Sequence, residues 1–306
     1  MIRRALLAST LCLISATSAS AQVRLETKFP EGTSYLTETS ARFGQKLSIG
    51  GTDIDTSNDT TAKIRSTIGK RESDGKIRVT QKVEAMQATV EVMGQTYSFD
   101  SAKPDEKGSS PLEVYRPLHK AVATRSTTIT YDKSNHAVSV EHDEDLLASL
   151  PAEVRDIARS QLDPEQLKDE ANEEIDRVKS DGVKKGDTWQ RTKSFNFGSG
   201  QVMDFKTEYT YQGTIDQGGK SLDKITSTVK DVTYALVNST LPFGLKESKL
   251  KAAESDGMLL FDRELGRTVQ TTWTLRVTGD IVFVINGKDL PATIDLKMTT
   301  EAIEKP

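Results

Sequence analysis

Apolar and polar residues alternate along most of the chain, which is the pattern of a β-strand with one buried face. The alternation runs through residues 23–27, 62–68, 90–99, 205–211 and 282–299. Asn286 and Gly287 lie within the last of these runs, and this dipeptide is a strong signal for a hairpin turn. Antiparallel sheets that expose one face to water give such alternation. The sequence therefore predicts a mainly β (α+β) protein built from antiparallel sheet.

A helical period replaces the alternation between about residues 144 and 180. Pro151 stands where the first turn of a helix tolerates proline. The residues that follow it at helical spacing are Val154, Ile157, Ala158, Gln161 and Leu162. This spacing predicts a first amphipathic helix with a narrow apolar stripe.

A second amphipathic helix is predicted directly after the first. Asp163 is the expected N-cap, Pro164 the first helical residue and Gln166 the capping-box partner, while Gly182 is the expected C-cap. The apolar stripe of this helix consists of Leu167, Ala171, Ile175 and Val178. We expect the stripe to cover the concave face of the sheet and to border a ligand groove. The alternative is a helix that seals the core between two halves of the protein.

The segment GTIDQGGKS, residues 213–221, resembles a phosphate-binding loop but has a different spacing. Five residues separate Gly213 from Gly219, whereas the loop motif has four at this place. The same count recurs between Gly69 and Gly75, and each copy follows an alternating run. Both segments are therefore predicted to be hairpin turns that bind no nucleotide.

Three further pairs of segments resemble each other in the same order along the chain: 30–40 with 184–194, 80–86 with 226–232, and 129–140 with 259–270. Ordered matches indicate a tandem duplication. We therefore predict two tandem curved antiparallel β-sheet units, each like a half-barrel, joined by an amphipathic helical connector. The expected boundaries are 22–142, 143–182 for the connector, and 183–306.

The first 21 residues have the pattern of a secretory signal peptide. Two arginines precede a short apolar run, and Ala19 and Ala21 form a cleavage site of small residues. A lipoprotein anchor at Cys12 is the alternative, but Leu11 is larger than the residue that normally precedes a lipidated cysteine. We expect cleavage after Ala21 and an exported protein of the bacterial periplasm or the extracellular space.

Composition narrows the possible functions further. Cys12 is the only cysteine, so the cleaved chain has no disulfide, no thiol nucleophile and no cysteine ligand for a metal. The formal net charge is −4 and the chain has no basic block, which disfavours nucleic acid as a partner. No apolar run after the signal peptide reaches the length of a membrane-spanning helix.

Two segments resemble metal sites only in part. Residues 53–59 place oxygen-bearing side chains at alternate positions, as a calcium loop does, but Asn58 and Ile64 stand where that loop needs glycine and glutamate. We interpret the segment as a solvated acidic loop. His142 lies among four carboxylates, which we interpret as the acidic start of a helix.

No stretch carries a complete catalytic motif. Ser199 stands in FGSGQ, but Phe197 replaces the first glycine of a nucleophile elbow. Trp189 and Trp273 lie in alternating runs, where an aromatic side chain belongs to the core. We therefore assign no catalytic residue, no cofactor and no metal ligand from the sequence.

Two short motifs in the second half, GDTW and FDRELGR, are characteristic of a known group. Their matching residues are Gly186, Asp187, Trp189, Phe261, Asp262, Gly266 and Arg267. With them, nearly all of the cleaved chain resembles a family of exported bacterial proteins known only as a domain of unknown function. That resemblance implies no catalytic residue. In plan, the predicted sheet with covering helices is also similar to periplasmic lipoprotein carriers, which hold acyl chains between sheet and helices.

Two functions from different classes stay open at this point. The first is a non-catalytic envelope protein that binds a hydrophobic ligand or a protein partner. The second is a periplasmic hydrolase whose site is assembled from scattered residues. An apolar groove favours the first, and a polar cleft that holds a pair of carboxylates favours the second.

Overall fold

The computed structural model describes residues 22–141, 150, 151, 154, 155, 158 and 162–305. The predicted signal peptide and His142 lie outside these residues. The strands of the first half are β1 (Ser34–Ile49), β2 (Thr52–Ile68), β3 (Ile77–Val92), β4 (Gln95–Asp100), β5 (Ser126–Tyr131) and β6 (Ala137–Glu141). Those of the second half are β7 (Thr188–Gly198), β8 (Gln201–Gln217), β9 (Lys220–Leu236), β10 (Gly244–Asp262), β11 (Arg267–Ile285) and β12 (Lys288–Lys305). The described α-helices are α1 (Arg116–Thr124), which follows a 3-10 turn at Pro111–Tyr115, and α2 (Pro164–Asp176).

All of these strands belong to one curved, unclosed antiparallel sheet. Its order is β6-β5-β3-β2-β1-β12-β11-β10-β9-β8-β7, and β4 pairs with β3 outside this path. The first and last strands are therefore neighbours at the centre, while β6 and β7 are the outer edges. The predicted mainly β fold is confirmed. The strand order continues from one half into the other, and the division into two units stays a prediction.

The inner face of the sheet is the apolar one. In β12, Ala292, Ile294, Leu296 and Met298 are buried, while the intervening Lys297 is exposed. Side chains of a strand alternate between its two faces. The sequence alternation therefore places one set of apolar side chains along the inner face, where the described helices also pack.

The N-terminal segment, residues 22–29, crosses the end of the sheet at which β1 begins, which we call the base. Val23 and Val183 exchange backbone hydrogen bonds of 2.9 and 2.7 Å. Leu25 is completely buried, and the Phe29 ring lies 4.4 Å from that of Tyr131. Burial of a leucine contributes about 1.5–3 kcal/mol. The segment therefore ties the first half to the second at the base.

Helix α2 bridges the two edge strands. The backbone N–H of Ala137 in β6 donates to Asn172 Oδ1 at 2.7 Å, and Asn172 Nδ2 donates to the Ala137 carbonyl at 3.1 Å. On the other side, Trp189 Nε1 of β7 donates to the Arg177 carbonyl at 3.0 Å. The helix thus satisfies backbone groups of β6, whereas at β7 the carbonyl that follows its last turn accepts a side-chain N–H; both strands are margins at which a sheet is otherwise open to pairing with other chains.

The predicted start of α2 is confirmed, and its predicted end is wrong. Asp163 Oδ1 accepts the Gln166 N–H at 3.0 Å, as an N-cap does. The helix ends at Asp176, well before Gly182. It ends there because the chain turns so that Val178 joins the apolar cluster at the base, beyond the last helical turn.

The first predicted helix is described only in part. Val154, Arg155, Ala158 and Leu162 have helical backbone, Leu150 and Pro151 do not, and the other residues from 142 to 161 lie outside the described residues. The buried side chains Val154, Ala158 and Leu162 pack against Leu118 and Ala121 of α1. This part of the connector therefore covers α1, which in turn packs on β3.

The two glycine-lysine segments form hairpin turns at the base. Residues 69–76 connect β2 to β3, and Gly218 and Gly219, with φ of +62° and +76°, connect β8 to β9. Gly213 lies within β8, where the ladder has a bulge. Each turn joins the second strand of its half to the third. The prediction of turns is confirmed, while the internal repeat stays a prediction.

Candidate functional site

The residues expected to border a groove are divided between two apolar clusters. Leu167, Ala171 and Ile175 are half-buried against the inner face of β2, β3, β5 and β6. Val178 is buried in the cluster at the base, together with Leu25. The helical part of the predicted stripe therefore contacts the core of the first half, while Val178, beyond the helix, contacts the cluster at the base. The role of the stripe as the border of a ligand groove stays a prediction.

The sheet has a seam in the second half, between β9 and β10. The two strands form a ladder only at the base, where Asp223–Ser227 pairs with Gly257–Phe261. Beyond it β9 pairs only with β8, and β10 only with β11. At the start of the seam the Val229 N–H donates to the Ser255 hydroxyl at 2.7 Å instead of to a backbone carbonyl.

Bulges on both strands account for the seam. β10 has register shifts against β11 between Leu245 and Glu247 and between Ala252 and Glu254. β9 has an extra residue, Lys230, opposite the shift between Lys206 and Thr207 of β8. A bulge leaves its residue unpaired and increases the local twist. Since bulges flank the point at which pairing stops, the facing backbone groups of the two strands fall out of register.

Behind the seam lies an apolar wedge, formed where β8 and β9 pack on β11 and β12. Its buried members are Met203, Phe205, Val229, Val232, Leu275, Val277, Ile281, Phe283, Ala292, Ile294, Leu296 and Met298. The half-buried side chains around it, which we call the rim, include Tyr234, Phe243, Leu245, Leu250, Ala252 and Trp273. The wedge thus offers apolar surface to solvent along strands that carry no ladder between them.

Aromatic rings form the floor of the wedge on the β7 side. The Phe195 and Trp273 rings are parallel, with centroids 6.4 Å apart, and Phe205 meets Trp273 edge-on at 6.2 Å. Lys193 Nζ lies 4.6 Å from the Phe195 centroid, and burial, together with nearby Arg177, lowers the pKa of its ammonium group. One polar group therefore stands beside an apolar, aromatic surface.

The rim tyrosine shows how dry this region is. Burial raises the pKa of Tyr234 to about 12, and its hydroxyl donates to Gln201 Oε1 at 3.0 Å. Burial disfavours the charged form of a phenol. Since a tyrosine is neutral at physiological pH in any case, the raised pKa reflects the burial of this hydroxyl and not a change in its charge.

A cavity of about 720 Å³, lined mostly by polar residues, lies between α2 and the part of β7 far from the base. Its helix wall carries the carboxylates Asp163, Asp169, Glu170 and Glu173. Its opposite wall includes Ser194 and Asn196 of β7, together with the β7–β8 and β9–β10 connections. We call it the acidic cleft.

Glu173 is the most perturbed carboxyl group of the acidic cleft. Burial raises its pKa, Glu170 adds to this increase, and Lys193 and Arg177 oppose it. The nearby Ser194 N–H opposes the increase slightly, while Glu173 Oε2 is buried and has no hydrogen-bond partner among the described residues. A buried carboxyl beside another carboxylate has the properties of a general acid or of an unfilled binding group.

The GDTW motif builds the base rather than a site. Asp187 accepts the Lys184 N–H at 2.9 Å in a turn that starts β7. Trp189 is 7% exposed and stacks on Tyr209, with ring centroids 5.8 Å apart. The prediction that Trp189 belongs to the core is confirmed.

The FDRELGR motif forms the β10–β11 hairpin at the same end. Asp262 Oδ1 accepts the N–H groups of Glu264 and Leu265 at 2.9 and 3.0 Å and so shapes the turn. Arg263 forms an ion pair of 2.5 Å with Asp223, which is completely buried. The residues of both motifs thus serve to hold the base together.

The remaining sequence candidates carry no chemistry in the described structure. Residues 53–59 lie within β2, so their interpretation as a loop is wrong: their alternation is that of a strand, and Asp53 pairs with Lys46 at 2.7 Å. Ser199 lies in the β7–β8 turn with φ of +52°. Within residues 22–141 and the described part beyond, no group of three potential metal ligands is present.

Neither the seam nor the acidic cleft was expected from the sequence. Glu170 and Glu173 are spaced so that they lie on one side of a helix, but in the sequence they look like the charged residues of any solvated helix face. The bulges leave only a weak trace, since Lys230 interrupts an alternating run without a pair of turn residues. Pairing partners far apart along the chain decide where both features form.

No family model matches the chain, and no curated protein matches it. Among solved structures it is similar to lipovitellin, with 11% identity and a TM-score of 0.45, over 91% of this chain and 26% of the lipovitellin chain. It is also similar to a protein from Bacteroides fragilis described as exported, with a YmcC-like fold, at 9% identity and a TM-score of 0.19, over 90% of this chain and 98% of that one.

A DUF1329 family protein from Desulfovibrio piger is a third similar structure, with 10% identity and a TM-score of 0.16, over 86% of this chain and 84% of that one. The chain spans about a quarter of the lipovitellin chain, 26%. These identities and TM-scores are low, and no function follows from them. In the described part of the chain, no helix is both long and apolar enough to cross a membrane.

Proposed function

We propose that this chain is a non-catalytic, exported protein of the bacterial envelope that binds a hydrophobic ligand at the apolar wedge. The observation that carries the proposal is the seam, where β9 and β10 run without a ladder beside half-buried apolar side chains. Elements with few backbone hydrogen bonds between them open at low free-energy cost. The seam therefore gives a ligand access to the wedge without unfolding the sheet.

The rim supplies the contact surface for such a ligand. Leu245, Leu250 and Ala252 of β10 and Tyr234 of β9 all pack against the buried members of the wedge, and all of them are half-buried. Covering apolar surface contributes about 25 cal/mol per Å². An acyl chain or a flat ring system that covers the rim therefore gains binding free energy from the buried apolar area. Trp273 adds a flat aromatic surface to the rim.

The two tryptophans allow a direct test. The chain has only Trp189, at the base, and Trp273, in the wedge. In Trp189→Phe, titration with a brominated stearate is expected to quench the remaining Trp273 strongly, because bromine quenches at short range. In Trp273→Phe, the same titration should leave Trp189 almost unchanged. Equal quenching of both variants, or quenching of neither, contradicts the proposal.

A matched pair of substitutions locates the site. Leu250→Gln puts a polar amide on the rim and is expected to weaken stearate binding by about tenfold, since each 1.4 kcal/mol changes affinity by that factor. Lys251→Gln alters the exposed neighbour on the outer face of the same strand and should bind as the wild type does. Native mass spectrometry of protein from the periplasm should show retained mass in the wild type.

A hydrolase is the second candidate, because Glu173 has a raised pKa and lies beside Glu170 in one cleft. A general acid needs a carboxyl group that keeps its proton near the working pH. Under this alternative, purified protein releases product from a panel of chromogenic glycosides, and Glu173→Gln abolishes the release. Absence of release from the wild type leaves the binding function as the better account.

A further inference from the structure

The helix α2 covers one part of the β7 edge and stands away from another. At the lower part, Trp189 Nε1 and Arg191 Nε donate to the carbonyls of Arg177 and Asp176, each at 3.0 Å. At the upper part, residues 194–198, the acidic cleft separates strand from helix. We call residues 194–198 the open edge. The opposite edge strand, β6, is by contrast paired through Asn172.

The open edge belongs to the last strand of the sheet, and Ser194, Asn196 and Gly198 of this strand line the acidic cleft. β7 is the last strand of the sheet and pairs with β8 alone, so every second backbone N–H and C=O along it has no strand partner. Backbone groups of a strand point to alternate sides with a period of two residues. The N–H and C=O of Asn196 therefore point the same way as those of Ser194, and Asn196 also lines the cleft. The cleft thus presents strand hydrogen-bonding groups on one wall.

The other wall is an array of acceptors with negative charge. Asp163, Asp169, Glu170 and Glu173 line it, and the residues that line the cleft include no lysine, arginine or histidine. Glu173 Oε2 is buried without a hydrogen-bond donor from the described residues. A buried acceptor that lacks a donor costs about 1–3 kcal/mol. An occupant that brings N–H groups and positive charge removes this cost.

We propose that the acidic cleft binds an extended, basic peptide segment that adds a strand to β7 at residues 194–198. The main chain of the segment pairs with the open edge, which is the recognition mode of strand addition. Its lysine or arginine side chains, and the N–H groups of its far edge, bind the carboxylates of α2. The partner is thus a protein with an exposed or disordered basic segment.

A second copy of this chain fits the cleft less well. Its own β7 edge lies behind its own α2, and pairing two such edges brings two sets of cleft carboxylates together. Like charges placed close to each other oppose association. Charge complementarity therefore favours a basic peptide over self-association.

The test uses the folded, cleaved protein and three labelled peptides of seven residues. The first peptide alternates threonine with lysine, and the second alternates threonine with glutamate. The third has the sequence of the first, with a backbone that is N-methylated at every second residue. Fluorescence anisotropy should show binding of the plain lysine peptide and no binding of the glutamate peptide. N-methylation, which removes donors but not charge, should weaken binding by at least about tenfold. Salt should weaken it as well, because screening reduces attraction between exposed charges.

Two variants of α2 control for charge alone. Glu170 lies inside the cleft, and Glu170→Lys should lower the affinity for the lysine peptide by about tenfold. Glu165 is exposed on the same helix outside the cleft, and Glu165→Lys should change this affinity by less than about twofold. Circular dichroism and urea midpoints establish that both variants fold. Equal binding of the N-methylated peptide overturns the proposal, as does an equal effect of the two variants. If sedimentation equilibrium shows a dimer that the lysine peptide fails to dissociate, the proposal is overturned in favour of self-association. If mass spectrometry shows that the peptide is cleaved, the proposal is overturned in favour of the hydrolase.

Discussion

Arg267 and Glu304 form a two-pronged ion pair on the inner face of the sheet. Arg267 Nε and Nη2 donate to the two carboxylate oxygens of Glu304 at 2.7 and 2.8 Å, and the guanidinium lies 4.2 Å from the centroid of the Tyr35 ring. Both side chains are 15% exposed. The pair joins β11 to the last strand where that strand meets β1, and Arg267 is the final residue of the FDRELGR motif.

Removing Arg267 should destabilise the protein strongly. Arg267→Ala leaves the Glu304 carboxylate partly buried without its cation, and breaking such a pair costs about 3–5 kcal/mol. Arg267→Lys should retain only part of the stability that Arg267→Ala loses, because lysine cannot bond both carboxylate oxygens in the same geometry. Urea denaturation measures the difference in the free energy of unfolding.

The outer face provides the matched control for this prediction. Arg276 makes the same two-pronged contact with Asp295, at 2.9 and 2.6 Å, but these side chains are 47% and 41% exposed. Exposed pairs contribute about 0–1 kcal/mol. Arg276→Ala should therefore cost less than about 1 kcal/mol. Equal losses in the two variants would show that burial does not decide the strength of the pair.

Two glycines with similar backbones should respond differently to alanine. Gly266 and Gly287 have φ of +67° and +73°, so alanine strains both by about 1 kcal/mol. A Cβ on Gly266 would lie 2.4 Å from Lys28 Cβ, whereas one on Gly287 meets nothing within 4 Å. Gly266→Ala should therefore also detach the N-terminal segment, whose Lys28 N–H donates to the Gly266 carbonyl at 2.8 Å.

The measurement for the glycines combines stability with proteolysis. Gly287→Ala should lower the free energy of unfolding by about 1 kcal/mol and leave cleavage by trypsin in the native state unchanged. Gly266→Ala should lower the free energy of unfolding further and, by freeing the backbone of the N-terminal segment, make trypsin cleave after Arg24, whose side chain is already exposed. If both variants resist trypsin equally, the N-terminal segment is held by contacts other than this close approach.

His119 should make stability fall on mild acidification. Burial lowers the pKa of His119 below its usual value, and its ring packs on Phe99 and Tyr97. The unfolded chain then binds the proton more readily than the folded one, so stability rises with pH through the window from the lowered pKa up to about 6.5. Stability should therefore be complete at about pH 7.5 and lower at about pH 5.5.

A ring-preserving substitution isolates the contribution of this histidine. Between about pH 7.5 and pH 5.5, His119 accounts for a loss of at most about 1.4 kcal/mol in the free energy of unfolding. This part of the loss should disappear in His119→Phe. Urea midpoints at both pH values for wild type and variant give the comparison. An unchanged pH dependence in His119→Phe would assign the loss to other groups.

The sequence by itself determined the local features of this protein. Alternation specifies strands because a side chain every two residues faces the core, and Asp163 with Pro164 specifies a helix start because its cap bonds form within one turn. The turns after Ile68 and Gln217 are specified in the same local way, because the glycines within them favour a turn. All of these depend on residues close together along the chain.

Only the tertiary structure decided where those elements meet. The pairing of β1 with β12 joins residues more than two hundred positions apart, and no periodicity within either strand specifies its partner. The end of α2 was misplaced because Val178 packs with Leu25 at the base, which is a contact between distant segments. The seam and the acidic cleft have the same origin. Bulges and helix carboxylates acquire meaning only when long-range packing sets β9 beside β10 and α2 beside β7.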